Sequence, residues 1–288
     1  MIPTFVIFLR EGIEASMIVA ILLAYLDRTG QRRHFRDVLA GVGAAFVLIA
    51  AGGVAAYLLI DRYAGSRAQT IIETVTYVIA AAALTYMTFW MQSHARTITA
   101  DLQQRSDAAL SRGARVGMGV LAAQAVGREG LETMVFTLAI VFASRSQAPS
   151  ANHSRWLLIG GVAGLAVAVA LAYWIYRLGH RLNLARFFRV LGVVLMFFAA
   201  GLVADAVENL QQLGWLPAGE PLWSTSSMVS ESSTFGDLLH SLLGYSDHPS
   251  ALQVTAWVVY FAASVTAFIR ISRRGARNKP AAAAPTTA

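Results

Sequence analysis

The sequence predicts an all-α integral membrane protein. Its seven transmembrane helices form a three-plus-three inverted repeat with one helix added. Three observations carry this. Of 288 residues, 56% are hydrophobic and 14% charged, whereas a soluble domain is about 25% charged. The apolar residues fall into blocks of about 20, the length of helix that crosses about 30 Å of hydrocarbon. One short charged string occurs twice, inside two of those blocks. Disorder is excluded by the same composition, because disordered chains are poor in apolar residues.

The blocks are Pro3–Leu26, Val38–Ile60, Thr70–Met91, Val116–Ala143, Trp156–Tyr176, Phe187–Leu213 and Ala251–Ile269. The first is a poor signal peptide. It lacks a basic leader, carries Arg10, Glu11 and Glu14, and runs on to Leu26, so it is read as a retained span. The second, fifth and seventh carry no charge and read as scaffold. The other four hold carboxylates at or near membrane depth. One transmembrane domain thus covers residues 1–277, with repeat one at about 1–91, repeat two at about 116–213, a long loop at 214–250 and the seventh helix at 251–271. Residues 278–288, rich in Ala, Pro and Thr, read as a disordered tail.

Basic residues alternate between loops. Seventeen follow the first, third, fifth and seventh blocks; four (Arg62, Arg67, Arg145, Arg155) lie on the other side. By the positive-inside rule the N-terminus is outside and the tail cytoplasmic. The net charge of +7 therefore reflects topology, since the basic residues are not gathered on one nucleic-acid-binding face. Cysteine is absent, which excludes disulfides and thiolate sites.

The repeated string is Arg10-Glu11-Gly12-Ile13-Glu14 and Arg128-Glu129-Gly130-Leu131-Glu132. The copies stand three spans apart, so they cross in opposite senses, the signature of an inverted repeat whose site lies near the midplane. On a helix, residues i, i+3 and i+4 share a face, which turns both glutamates of a copy toward one cavity with the arginine beside them. Gly12 lets a neighbouring helix approach closely. Four carboxylates and two guanidiniums would meet there. Carboxylates are hard ligands for divalent and trivalent cations, and charges inside spans are functional by default. The competing structural account has each arginine pairing only with its own i+4 glutamate to knit helices together.

Glu73, Asp205 and Glu208 sit near the outer ends of the third and sixth spans and serve either as relay carboxylates or as solvated helix ends. The loop 214–250 holds Glu220, Glu231, Asp237, His240, Asp247 and His248, with the two histidines as candidate capture ligands. Met17, Met87, Met91, Met134 and Met196 read as gap-filling packing, and His94 as a helix-end charge.

These residues resemble the oxidase-dependent iron transporter family of iron permeases, in its bacterial ferrous-iron branch. The doubled Arg-Glu-Gly-x-Glu string carries the resemblance. It extends to Glu73 through Trp90-Met91-Gln92, to Glu208-Asn209-Leu210-Gln211 with Gly214 and Leu216-Pro217, and to Leu222-Trp223-Ser224-Thr225, Gly236-Asp237-Leu238-Leu239-His240 and Gly244-Tyr245. The resemblance implies uptake of Fe2+ or Fe3+ across the cell inner membrane. It makes Glu11, Glu14, Glu129 and Glu132 the iron-handling groups, with Arg10 and Arg128 as counter-charges and Glu73 and Glu208 as further family positions. Asp205 rests on helix geometry alone. No permanently bound cofactor is implied; iron is the cargo. Bacterial relatives imply a periplasmic cupredoxin-like protein and a haem peroxidase as partners, and fungal ones a multicopper oxidase.

Two other readings use the same residues. A manganese, zinc or proton/cation exchanger employs identical carboxylates, because oxygen ligands discriminate weakly among first-row divalents. A membrane di-metal oxidase belongs to another class, but it calls for Glu-x-x-His pairs that the spans lack. Nothing matches a phosphate-binding loop, so ATP is not a direct driver.

Overall fold

The computed structural model describes residues 2–94, 98–111, 114–145, 151–178, 184–230 and 233–277. The helices are α1 (Ile2–Arg28), α2 (Phe35–Asp61), α3 (Arg67–His94), α4 (Ile98–Ser111), α5 (Ala114–Arg145), α6 (Ala151–Leu178), α7 (Leu184–Gln212), α8 (Thr234–Leu243) and α9 (Ala251–Arg277). Among the described residues the only β pairing is one isolated bridge, Pro221 with Ser250. The tail 278–288 and Glu231 lie outside the described residues.

Five segments are long and apolar enough to cross a bilayer: Arg32–Asp61, Arg67–Met91, Arg155–Trp174, Val190–Gln212 and Ala251–Ile271. Helices α1 and α5, of 27 and 32 residues, have the length. Each interrupts its apolar run with a copy of the charged string. The seven blocks expected from sequence fall on α1–α3, α5–α7 and α9, with Leu213 one residue past α7. Their outward faces suit hydrocarbon: Phe46 and Leu48 on α2 are 62% and 73% exposed, and Leu158 and Val162 on α6 are 70% and 71% exposed.

Two clusters hold the bundle together, and they fix the helix directions. Near one end, Leu22 and Leu26 of α1 pack with Val38, Leu102, Met118 and Ala122. Toward the other, Ile7 of α1 packs with Tyr77, Ala80, Phe136, Ile140, Phe142, Leu195, Phe198 and Leu202. The start of α1 therefore meets the end of α5, and the end of α1 meets the start of α5, so the two motif helices run antiparallel. Helix α4 lies at the first end, placing Leu102 in that cluster and Asp107 against the Tyr25 hydroxyl. On α7 and α9, Phe197, Trp257 and Phe261 form an aromatic cluster with ring centroids 4.1 to 6.0 Å apart.

The main packing pairs are α1 on α6, α2 on α5, α3 on α7 and α9 on α7, with α1 crossing α5. Small residues allow the close approach that drives helix association in a membrane. A Cβ placed on Gly41 of α2 would lie 2.1 Å from the Gly119 carbonyl oxygen of α5. Backbone cannot yield as a side chain does, so Gly41→Ala forces the helices apart. Overpacking costs about 1–3 kcal/mol, and the thermal midpoint in detergent is expected to fall measurably. Gly43→Ala is the control, since nothing lies within 4 Å of its Cβ position, and its midpoint should match the wild type.

Candidate metal centre

The charged strings meet where α1 crosses α5. Arg10, Glu11 and Glu14 are at most 4% exposed, and Glu129 is 6% exposed. The two motif glycines do matching work on opposite flanks. A Cβ on Gly12 would stand 2.8 Å from Ala168 Cβ of α6, and one on Gly130 would stand 2.3 Å from Ile49 Cδ1 of α2. Each glycine seats its helix tightly on an outer neighbour, while the glutamates one residue before and two after face the crossing.

One carboxylate oxygen from each of Glu11, Glu14 and Glu129 lies within 4.8 Å of the others. Glu132 is in electrostatic range of Arg10, Glu11 and Glu14. Arg10 Nη1 pairs with Glu11 Oε1, and Arg10 Nη2 stands 3.2 Å from Glu14 Oε1. Arg128 Nε donates to Glu132 Oε1 at 3.2 Å, and its guanidinium lies 4.9 Å over the Trp90 ring. Both i+4 pairs of the structural account are thus present.

They do not satisfy the site. Glu11 Oε2, Glu14 Oε1, Glu129 Oε2 and Glu132 Oε2 are buried without a hydrogen-bond partner. The 3.2 Å approach of Glu14 Oε1 to Arg10 is ion pairing without hydrogen-bond alignment. Native proteins rarely leave a buried acceptor unmade, and carboxylates in a low-dielectric interior demand a counter-charge. Two guanidiniums face four carboxylates. An oxygen-only donor set of this kind suits a divalent or trivalent cation.

Glu73, Asp205 and Glu208 lie elsewhere, toward the end of the bundle opposite α4. Their charges converge on Tyr77, which is 3% exposed. Glu73 accepts from Gln69 Nε2 at 2.7 Å, and Glu208 from Gln253 Nε2 at 2.9 Å and Gln212 Nε2 at 3.3 Å. Asp205 Oδ1 stands 3.9 Å from His240 Nε2. His248 stays in the loop 214–250 against Ser224 and Asp247. The two expected capture histidines therefore part company.

The family description "Iron permease FTR1 family" matches residues 1–276. The chain belongs to that family. It is 35% identical to the ferrous iron permease EfeU of Escherichia coli O6:K15:H31 (strain 536) over 96% of this chain and 98% of the relative. The same figures hold for the ferrous iron permease EfeU of E. coli O157:H7. Identity to the ferrous iron permease EfeU of Yersinia pestis is 31%, covering 98% of both chains. No solved structure matches. Membership of a permease family makes this a membrane transporter and not an enzyme, which removes the oxidase reading.

Two features of the crossing go beyond what the sequence assigned, one residue and one asymmetry. Trp90 was expected only as part of a resembling stretch, and the structure sets its ring beneath Arg128. The arginines also differ: the Arg10 side chain is 4% exposed and that of Arg128 43% exposed. Helical spacing treats both copies alike and gives no hint of this. Of the methionines read as packing, Met87, Met91 and Met196 are buried, and Met17 and Met134 are half-buried.

Proposed function

We propose that this chain carries iron, as Fe2+, across the cell inner membrane. In this reading Glu11, Glu14, Glu129 and Glu132 hold the ion, and Arg10 and Arg128 balance them when it is absent. The observation that carries the proposal is the set of four buried carboxylate oxygens without partners, drawn from both copies of one string. Helices α1 and α5 join the five apolar helices as spans, with the glutamates of their two strings gathered at the crossing. The N-terminus lies outside and the C-terminus in the cytoplasm.

The packing supports an inverted repeat of α1–α3 and α5–α7. Exchanging the two triplets turns the α1·α6 pair into α5·α2, and leaves α1·α5 and α3·α7 as self-paired contacts about a two-fold axis. Transporters built this way hold their cargo at the repeat interface, which is where the strings meet. The antiparallel strings bring Arg10 into electrostatic range of Glu132 and Arg128 into range of Glu14. Glutamates that take up protons as the metal leaves would supply the coupling. Any change of iron redox state falls to a separate protein, such as a periplasmic cupredoxin-like partner or a haem peroxidase.

Radiolabelled iron uptake into proteoliposomes, with and without ascorbate, tests the reading. Uptake that requires reductant is expected. Uptake only without reductant would replace Fe2+ by Fe3+, and none in either condition would contradict an iron permease acting alone. A second reading, transport of manganese or zinc, is favoured by the all-oxygen donor set. In that case excess Mn2+ or Zn2+ would compete with iron on equal terms.

A further inference from the structure

Within the loop 214–250, Thr234–Leu243 form α8, and α8 delivers one histidine to the interior. Each boundary of α8 is fixed. Ser233 caps its start by accepting the Gly236 N–H at 3.0 Å, and Gly244 ends it at φ +68°. A Cβ on Gly201 of α7 would lie 2.9 Å from Gly244 Cα, so the two backbones touch. Trp257 Nε1 donates to the Leu243 carbonyl at 2.7 Å, and Tyr245 bonds Thr225 at 2.5 Å and the Val229 carbonyl at 2.9 Å. Helix α8 also touches α1 and α5, the helices of the glutamate site.

His240 is 8% exposed. Its Nδ1 lies 2.8 Å from the Tyr245 carbonyl oxygen. A carbonyl only accepts, so Nδ1 carries the proton, and Nε2 is the ring nitrogen on the Asp205 side. A backbone carbonyl holding the far nitrogen is the usual support of a metal-ligating histidine. The 3.9 Å from Nε2 to Asp205 Oδ1 is too long for a hydrogen bond. Two ligands each about 2.0–2.2 Å from one ion stand about 3–3.5 Å apart, so a small inward shift closes this pair on a cation. Glu73 and Glu208 add negative charge around Tyr77.

We propose that the junction of α8 with α7 is a second cation station, where His240 and Asp205 bind a first-row divalent metal on its way to the four glutamates. This rests on the transport reading above and adds a source of selectivity to it. Carboxylates accept Mg2+ and Ca2+ as readily as iron, whereas imidazole favours transition metals. The nitrogen ligand sits where ions arrive from the outer side, ahead of a site that has none among its described residues.

Pulsed EPR of Mn2+ bound to the purified full-length Glu129→Gln protein tests this, because imidazole nitrogen modulates the Mn2+ echo and carboxylate oxygen does not. Nitrogen modulation is expected, unchanged by His248→Gln and abolished by His240→Gln. Modulation that is absent, or that survives His240→Gln, overturns the proposal. If His240→Gln does not yield monodisperse protein, Asp205→Asn decides, since it leaves the histidine and α8 in place. It should weaken Mn2+ binding at least tenfold, and unaltered affinity overturns the station. Lost iron uptake in Glu129→Gln with the nitrogen signal intact keeps the two sites distinguishable. If uptake persists in Glu129→Gln, the glutamate reading fails while the His240 station stands.

Discussion

Glu129→Gln is expected to reduce iron uptake to the background of empty liposomes while the protein remains folded and in the membrane. Among the described residues Glu129 makes no ion pair, and its Oε2 has no hydrogen-bond partner. Among the described residues the amide therefore breaks no ion pair, and no hydrogen bond of Oε2 is lost. It removes one of four crowded negative charges, and relief of like-charge repulsion should leave the metal-free thermal midpoint equal to or above that of the wild type. Transport suffers because the amide oxygen is a neutral and weaker ligand. A carboxylate kept only to knit helices gives the opposite pattern, with a lower midpoint and uptake reduced merely in proportion to surviving protein. Flux and thermal unfolding measured on one preparation separate the two accounts.

Arg10→Gln is expected to have the largest effect on stability. The Arg10 side chain is 4% exposed and holds both Glu11 and Glu14. Removing one partner of a buried ion pair leaves uncompensated charge and costs about 3–5 kcal/mol. A divalent cation binds the folded state in place of the guanidinium and stabilises by mass action, so millimolar Mn2+ should raise the midpoint of Arg10→Gln more than that of the wild type. Arg128→Gln is the contrast. Its side chain is 43% exposed and its pair with Glu132 is partly solvated or lipid-facing, a setting worth about 1 kcal/mol or less. Equal losses in both variants would contradict the asymmetry between the two copies.

The candidate centre was legible because its signal is local. The same five-residue string on two helices specifies which side chains share a face, and a separation of three spans, with two between the copies, specifies that they oppose. Gly12 and Gly130 fit that reading, each allowing close contact with a different neighbour. What sequence did not reveal depends on tertiary placement. Helix α4 is 14 residues with little apolar excess, and its one buried leucine, Leu102, becomes meaningful only beside Leu22 and Met118. Helix α8 did carry a signal. Ser233 before it, Gly244 after it, and Phe235, Leu239 and Leu243 four apart give a capped amphipathic helix, hidden within a loop rich in Ser, Thr and Gly. The contact of His240 with Asp205 joins residues 35 apart in sequence, and no periodicity encodes that.

The difference between Arg10 and Arg128 has the same origin. Identical strings meet different surroundings, with Arg10 enclosed by its own glutamates and Arg128 reaching Trp90 on α3. A two-fold repeat constrains the backbone but leaves each copy free to find its own side-chain partners.

The central claim is that iron rests among the glutamates where α1 crosses α5. Anomalous scattering at the iron edge from protein loaded with Fe2+ under reducing conditions tests it most directly. A peak bounded by Glu11, Glu14 and Glu129 is expected, lost in Glu129→Gln. Iron found only outside that crossing, or a peak there that survives Glu129→Gln unchanged, would contradict it.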